Sequence, residues 1–415
     1  MWRRLSGRVR GASIACLGAS FLVAGCAKKE RSDLSVWHQM EGEGKRVLQE
    51  QIDRFEAEHP GWEVTQLYKE TEELRTHFQT AAVAGSGPDL VYGPADQVGP
   101  FDAMGLILPL EEFFAEEELA DWAEGGLVYH RGHLYQIGDR VGNHLALVYN
   151  RALVSDPPED TGALIRLGKR LARDEDGDGR PDRYALVWNY SEPFFFIPFL
   201  SGFGGWVMDE DARPTLDTPE MEAALRFSVD LKDRYRICPL DADRETADAL
   251  FKSGAAAMII NGPWAWGGYT RAGVDYGVAR IPRIEETGLW PAPMISTKGY
   301  SINVAVKGER LARVLELLRF LTSTRVQLEF TRVLHTAPAR KSAREASVVA
   351  DDPLLRQSLH QLEVGRPMPI APEMRAVWDA MKPNYQAVMA GAKSPAEAAR
   401  DMQALAERKI AELNE

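Results

Sequence analysis

Cysteine is rare in this chain: only Cys16, Cys26 and Cys238 occur in 415 residues. The first two are assigned to the N-terminal segment below, so no intramolecular disulfide is expected and the core must hold without one. Cys238, between Ile237 and Pro239-Leu240, is expected to be a buried structural thiol. Positive charge is also short, with 49 Lys+Arg against 61 Asp+Glu and a net charge of −12. Residues 1–25 contain four arginines and no acid, so the remainder carries 45 basic against 61 acidic residues, or −16. Phosphate backbones and anionic lipid surfaces repel such a chain, which excludes nucleic-acid binding. Beyond the N-terminal segment no apolar run approaches the roughly 20 residues that span a bilayer as a helix. There is no short-period repeat, no G-x-S-x-G, no P-loop and no Rossmann glycine fingerprint. The eight histidines are scattered, and the one close pair, His130 and His133, straddles Arg131-Gly132 as solvated residues of a hairpin turn. What is present, 45% hydrophobic and 27% charged residues, suits a well-packed protein of two or three domains.

The first residues read as an export signal. Arg3, Arg4, Arg8 and Arg10 precede an apolar run of about 15 residues, too short to span a bilayer. It ends in Leu22-Val23-Ala24-Gly25-Cys26, which resembles the lipobox of bacterial lipoproteins, whose cysteine is acylated and becomes the new N-terminus. A plain secretory signal with an incidental Cys26 is the alternative. Residues 1–25 would then be the signal and 26–33 a polar tether to lipid.

Strand and helix signals alternate from there. Residues 34–38 read as a strand and 42–58 as a helix, with Leu48, Ile52 and Phe55 on one face. A strand over 62–68, a helix capped by Thr71 and an apolar strand over 89–93 complete a βαβαβ order, which predicts a parallel sheet with helices on both faces. Further strands are expected at 145–150, 184–188 and 256–260, and helices at 161–173, 219–235 and 248–254. Past 303–307 the chain is mainly helical, over 309–323, 324–333, 372–390 and 394–413. The fold class is therefore α/β: two lobes, each a mainly parallel sheet flanked by helices, with a helical C-terminal third. In such sheets ligands bind beyond the carboxyl ends of strands, here at 39–43, 93–97, 188–194 and 261–266.

Two of these loops are loaded with rings. Asn261-Gly-Pro-Trp264-Ala-Trp266 ends a buried strand in a Gly-Pro turn that should hold at least one indole, Trp264, in a cleft. Trp188-Asn-Tyr-Ser-Glu192-Pro-Phe194 ends another strand beside one carboxylate. Pyranose faces pack on rings while their hydroxyls need fixed acceptors, so both loops suit a sugar.

At these residues the chain resembles the maltose-binding protein family, the sugar-binding components of bacterial ABC importers. The likeness spans nearly the whole chain after the signal, through FEAEHPGWEV (55–64), GSGPDLVYGPADQVGPFDAMGLILPL (85–110), LALVYNRALV (145–154), SEPFFFIPFLSGFGGW (191–206), FKSGAAAMIINGPWAW (251–266) and VDYGVARIP (274–282). It implies the two-lobed type II periplasmic-binding-protein fold, with residues 34–144 and 297–336 in one lobe and 145–296 and 337–415 in the other. Hinges are expected near 143–146, 293–300 and 335–340. It also implies that Trp264 and Trp378 (in MRAVWDAM) stack on sugar rings, that Phe194 stands at a tyrosine position, and that Glu192 and Asp96 accept hydroxyl hydrogen bonds. The departures are local. Gly93 replaces a tryptophan, Gln97 an arginine and Asn143 a glutamate, and Met40-Glu41 stands near an Asp-Lys pair without its lysine; Gln97, Asn143 and Glu41 are still expected to contact the ligand from these positions. Expected partners are a saccharide, maltodextrin-like, and the transmembrane subunits of an ABC permease. The protein would act as a monomer on the extracytoplasmic face of a bacterial membrane, touching it only through the lipid on Cys26. No catalysis is expected; the alternatives are a non-sugar receptor or sensor of the same fold, or a carbohydrate-cleaving enzyme using Glu192 and Asp96.

One motif stands apart. Asp174, Asp176, Asp178 and Asp182 occupy positions 1, 3, 5 and 9 of a calcium loop with glycine at 6, but Ala185 holds position 12 where a bidentate Glu belongs. The loop is either a weak structural calcium site or a solvated acidic turn, and no other cofactor is expected.

Overall fold

The computed structural model describes residues 32–413 except 175, 176 and 178–180. Residues 1–31 lie outside this range, and with them the signal sequence and Cys26; so do Asp176 and Asp178.

The predicted βαβαβ order is present. Strand Ser32–His38 lies between Trp62–Tyr68 and Leu90–Pro94, parallel to both. Side-chain alternation sends Leu90 and Tyr92 into one core and Val91 into another on the opposite face of the sheet. Helix Gly42–Glu58 packs Leu48, Ile52 and Phe55 into the first, and helix Thr71–Val83 packs Leu74 and Phe78 into the second. One correction concerns the second helix. Glu70 caps it, accepting from the backbone N–H groups of Glu72 and Glu73, while the Thr71 hydroxyl donates to Gln39 Oε1 at 2.5 Å. A carboxylate there also faces the positive end of the helix dipole.

Two strands then join antiparallel: Met294–Ile302 pairs with Leu90–Pro94 on one side and His133–Gly142 on the other. The second sheet departs further from the parallel expectation. Tyr184–Val187 pairs parallel with Ala256–Asn261, but Ala146–Asn150 is antiparallel to both Ala256–Asn261 and Tyr276–Ala279. A strand that arrives directly from the other lobe, without a helical crossover, has no reason to run parallel to its neighbours. This sheet and the helices Pro219–Asp233, Met374–Met389 and Pro395–Leu413 surround one large core, which includes Trp188, Trp266 and the free thiol of Cys238. Burial pushes that thiol well above its ordinary range, as expected of an inert structural cysteine.

The lobes meet where His133–Gly142 runs into Ala146–Asn150. Gly142 and Asn143 both have positive φ there, +120° and +27°, which turns the chain sharply between the sheets. A second crossing lies within strand Met294–Ile302, whose Met294 sits in the second lobe's core and whose residues 296–302 pair in the first lobe's sheet. The third lies later than expected. Ala337–Pro338 pairs with Val141 and Arg140, Ala339 sits in the first lobe's core, and Asp121 binds Lys341 and Ser342. Only helix Pro353–Leu362 leaves, to pack on Tyr276–Ala279, so the 337–344 segment belongs with the first lobe. Among the described residues no helix is long and apolar enough to cross a membrane.

Of the hairpin histidines, His133 is exposed as expected, whereas His130 is largely covered. His130 Nδ1 lies 2.7 Å from Asp102 and His133 Nδ1 2.5 Å from Glu111, and no group of three or more potential metal ligands occurs among the described residues. In the acidic loop Asp174 accepts from the Gly177 N–H at 2.6 Å.

Candidate functional site

A cavity of about 410 Å³ lies between the lobes. Seven of the eight ligand residues expected from sequence line it: Glu41, Asp96, Asn143, Glu192, Phe194, Trp264 and Trp378. Gln97 does not.

The second lobe supplies the rings. The wholly buried strand Ala256–Asn261 carries the chain to Gly262, and Pro263 starts a helix that runs to Arg271, a favoured place for proline. Asn261 fixes the corner by donating to Tyr269 Oη at 2.8 Å and Asp248 at 3.1 Å and accepting from the Gly262 N–H. A Cβ on Gly262 would lie 2.1 Å from the Trp264 ring, so only glycine lets the indole fold back over the turn. Trp264 is half-buried in the cavity wall, and Trp266 is fully buried in the core. Phe194 and Phe195 come from the turn after Trp188, with centroids 6.3 and 6.5 Å from that of Trp264. Asn189 shapes this turn by accepting from the Ser191 N–H and hydroxyl.

Helix Met374–Met389 supplies the rest of this wall. Arg375, Trp378, Asp379 and Lys382 fall at i, i+3, i+4 and i+7, one face, and all four line the cavity. Sequence reasoning singled out only Trp378; the same spacing around it marks its three charged neighbours.

The first lobe supplies polar groups. Asp96 and Arg75 are buried and paired at 2.8 Å, with Glu72 3.5 Å from Arg75. Asp96 Oδ1 and Arg75 Nε have no partner among the described residues. Both atoms are closed to solvent, so this buried pair is held by Asp96 Oδ2 and by the nearby Glu72, and it fixes the polar floor of the first-lobe wall. Glu41 accepts from Tyr68 Oη at 3.0 Å and pairs with Arg244 across the cleft. Burial favours protonation of Glu72, but Arg75 and Arg375 hold its carboxyl below the usual range. Burial has the upper hand at Glu192, whose carboxyl is pushed up although Lys382 pairs with it.

Gln97 is a correction with a simple cause. Its side chain is buried against Gly93, where a Cβ would lie 2.1 Å from Gln97 Oε1, and its Nε2 has no partner among the described residues. The two departures at Gly93 and Gln97 are therefore one change: the amide fills the space left by the missing ring. Asn143 lines the wall at the strained crossing between lobes. Sequence reasoning also missed Lys298 and Arg140, which lie on crossing strands outside the four loops.

Residues 50–357 match the family model described as bacterial extracellular solute-binding protein. Among solved structures, the chain is 46% identical to the maltose/maltodextrin-binding domain from Bdellovibrio bacteriovorus bound to maltotriose, with a TM-score of 0.89 over 91% of this chain and 100% of that one. It is 26% identical to a maltotriose-binding protein of Pyrococcus abyssi, over 83% of this chain and 74% of that protein. It is also 27% identical to a maltooligosaccharide ABC transporter solute-binding lipoprotein of Streptococcus pneumoniae serotype 4, over 77% of this chain and 75% of the relative.

Proposed function

Because the chain belongs to the bacterial extracellular solute-binding proteins, and within them to the maltose/maltodextrin-binding group, we propose that it captures a saccharide in its interlobe cavity. A maltodextrin-like oligosaccharide is the cargo, delivered to the transmembrane subunits of an ABC importer. One observation carries this: rings of Phe194, Trp264 and Trp378 from one lobe share an interlobe cavity with Glu41, Glu72, Arg75 and Asp96 of the other. Rings would hold pyranose faces while Asp96, Glu41 and Glu192 accept from hydroxyls. Each charge-assisted bond contributes about 1.5–3 kcal/mol in a dry cavity.

Binding favours the closed lobes only as far as the ligand prefers that state. Three ion pairs already bridge the lobes, Glu41–Arg244, Glu43–Arg271 and Glu72–Arg375, so the sugar need only bias an arrangement the protein supports itself. The closed form would be what the permease recognises. The protein works as a monomer, held outside the cytoplasm by a lipid on Cys26.

No bond is broken in this account. A glycosidase needs two carboxyls free to act across one bond, whereas Glu192 is engaged by Lys382 and Asp96 by Arg75. Incubation with maltotriose should leave it intact.

A thermal-shift panel of mono- and oligosaccharides tests the proposal. A ligand at 100 times its Kd adds about 2.7 kcal/mol of stability. If no saccharide raises Tm, the carbohydrate assignment is wrong.

A further inference from the structure

Six cationic side chains line the cavity, and five are tied to carboxylates: Arg75 to Asp96, Arg140 to Asp139, Arg244 to Glu41, Arg375 to Glu72 and Lys382 to Glu192. Lys298 is the sixth. Its Nζ makes no ion pair or hydrogen bond among the described residues and stands 5.6 Å from the centroid of the Trp264 ring. It sits on strand Met294–Ile302, which joins the lobes, in register with Arg140 on one side and Pro94 on the other.

An ammonium drawn half out of water beside a like charge is costly. The indole face offsets part of that cost and fixes the head group next to the ring. The carboxylates that line the cavity only accept hydrogen bonds, and the other cations have much of their donor capacity engaged by them. A pyranose offers hydroxyl and ring oxygens that need donors.

We infer that Lys298 is a ligand-contacting, specificity-determining residue whose ammonium donates to an oxygen of the sugar ring laid on Trp264. This rests on the saccharide assignment above and adds a named contact to it. Trp264 and Lys298 then act as one unit, since the cation selects rings that place an oxygen at the edge of the stacked face.

The contact has a pH signature. The groups that face Lys298 are Arg140 and Asp139 on the neighbouring strand, Glu41 after the first strand, and Asp96 after Leu90–Pro94. His144 and His335, in a small cavity behind it, are engaged by Ser358 and Asp352. Burial, and then the positive charge of Arg140, bring Lys298 down to about 8. In the free protein the donor is present below that pH and lost above it, while a bound oxygen holds the proton on. Affinity is therefore flat below about pH 8 and falls above it, by at most tenfold per pH unit.

Titration calorimetry with maltotriose between pH 6.5 and 9.5 provides the test, on the wild type, K298M and K298R. The wild type should weaken about tenfold from pH 7.5 to 9.5. K298M should bind about ten- to a hundredfold more weakly at pH 7, the range of one charge-assisted bond, and lose the alkaline fall. K298R keeps its charge throughout and should bind without that fall. Wild-type affinity and an unchanged pH profile in K298M would overturn the inference, and so would an alkaline fall retained in K298R. If circular dichroism shows K298M misfolded, K298R alone decides. A wild type that binds no saccharide defeats the functional assignment and this inference with it, whereas tight binding indifferent to Lys298 defeats only the inference.

Discussion

The two walls of the cavity are chemically unlike. The second lobe presents Phe194, Phe195, Trp264 and Trp378 among charged neighbours such as Glu192, Asp379 and Lys382, whereas the first presents Glu41, Glu70, Glu72, Arg75 and Asp96 and, among the described residues, Tyr92 as its one aromatic ring. The rim has the same asymmetry in charge, since each bridging pair takes its acid from the first lobe and its arginine from the second. Neither lobe alone satisfies a sugar. The second lobe alone lacks the acceptors Glu41 and Asp96, and the first alone has no ring wall and leaves the carbon face wet. Dividing the two tasks makes tight binding conditional on closure, which is what a receptor that signals occupancy by shape requires.

The contrast can be broken from either side. The largest effect should come from the polar wall, on stability. Asp96→Ala leaves Arg75 buried with only Glu72, 3.5 Å away, and should cost about 3 kcal/mol in chemical denaturation. Trp264→Ala should do the reverse, leaving stability nearly unchanged while weakening maltotriose binding by at least about 2 kcal/mol in calorimetry. Unchanged affinity would mean that the ring wall does not hold the ligand.

Acid should act next, through the first lobe. His38 is brought down to about 4 by burial. The Met40 N–H donates to its Nδ1 at 3.0 Å while Nε2 meets Gln66 Oε1 at 2.6 Å, an arrangement that fits only the neutral ring. The unfolded chain takes up a proton near pH 6.5 and the folded one near 4. Stability is therefore intact above 6.5 and falls towards 4, by up to about 1.4 kcal/mol per pH unit for this group. His38→Gln should flatten that part of the denaturation profile. The smallest effect belongs to the rim: Glu43→Gln should weaken binding by less than about 1 kcal/mol and reduce its dependence on NaCl.

Much of this was legible in the sequence where signals are local. Helical spacing marks Leu48, Ile52 and Phe55, and the Gly-Pro turn marks Trp264 as an indole in the cleft. The rest depends on groups distant along the chain. Nothing near Lys298 announces Trp264 beneath it, while Gln97, only four residues from Gly93, escapes because no regular period connects a strand end to the turn that follows it. The third lobe crossing was placed too early because Ala337–Pro338 is a two-residue strand, too short to leave a periodic pattern. The charges around Trp378 were within reach of helical spacing and were overlooked because the ring drew attention alone.

Helix Met374–Met389 gives the cavity four of its side chains although most of the wall opposite is encoded before residue 100. A growing or partly exported polypeptide thus has no complete binding site until residue 382 has joined the rest. Fragments that end before this helix lack Arg375, Trp378, Asp379 and Lys382 from the cavity wall.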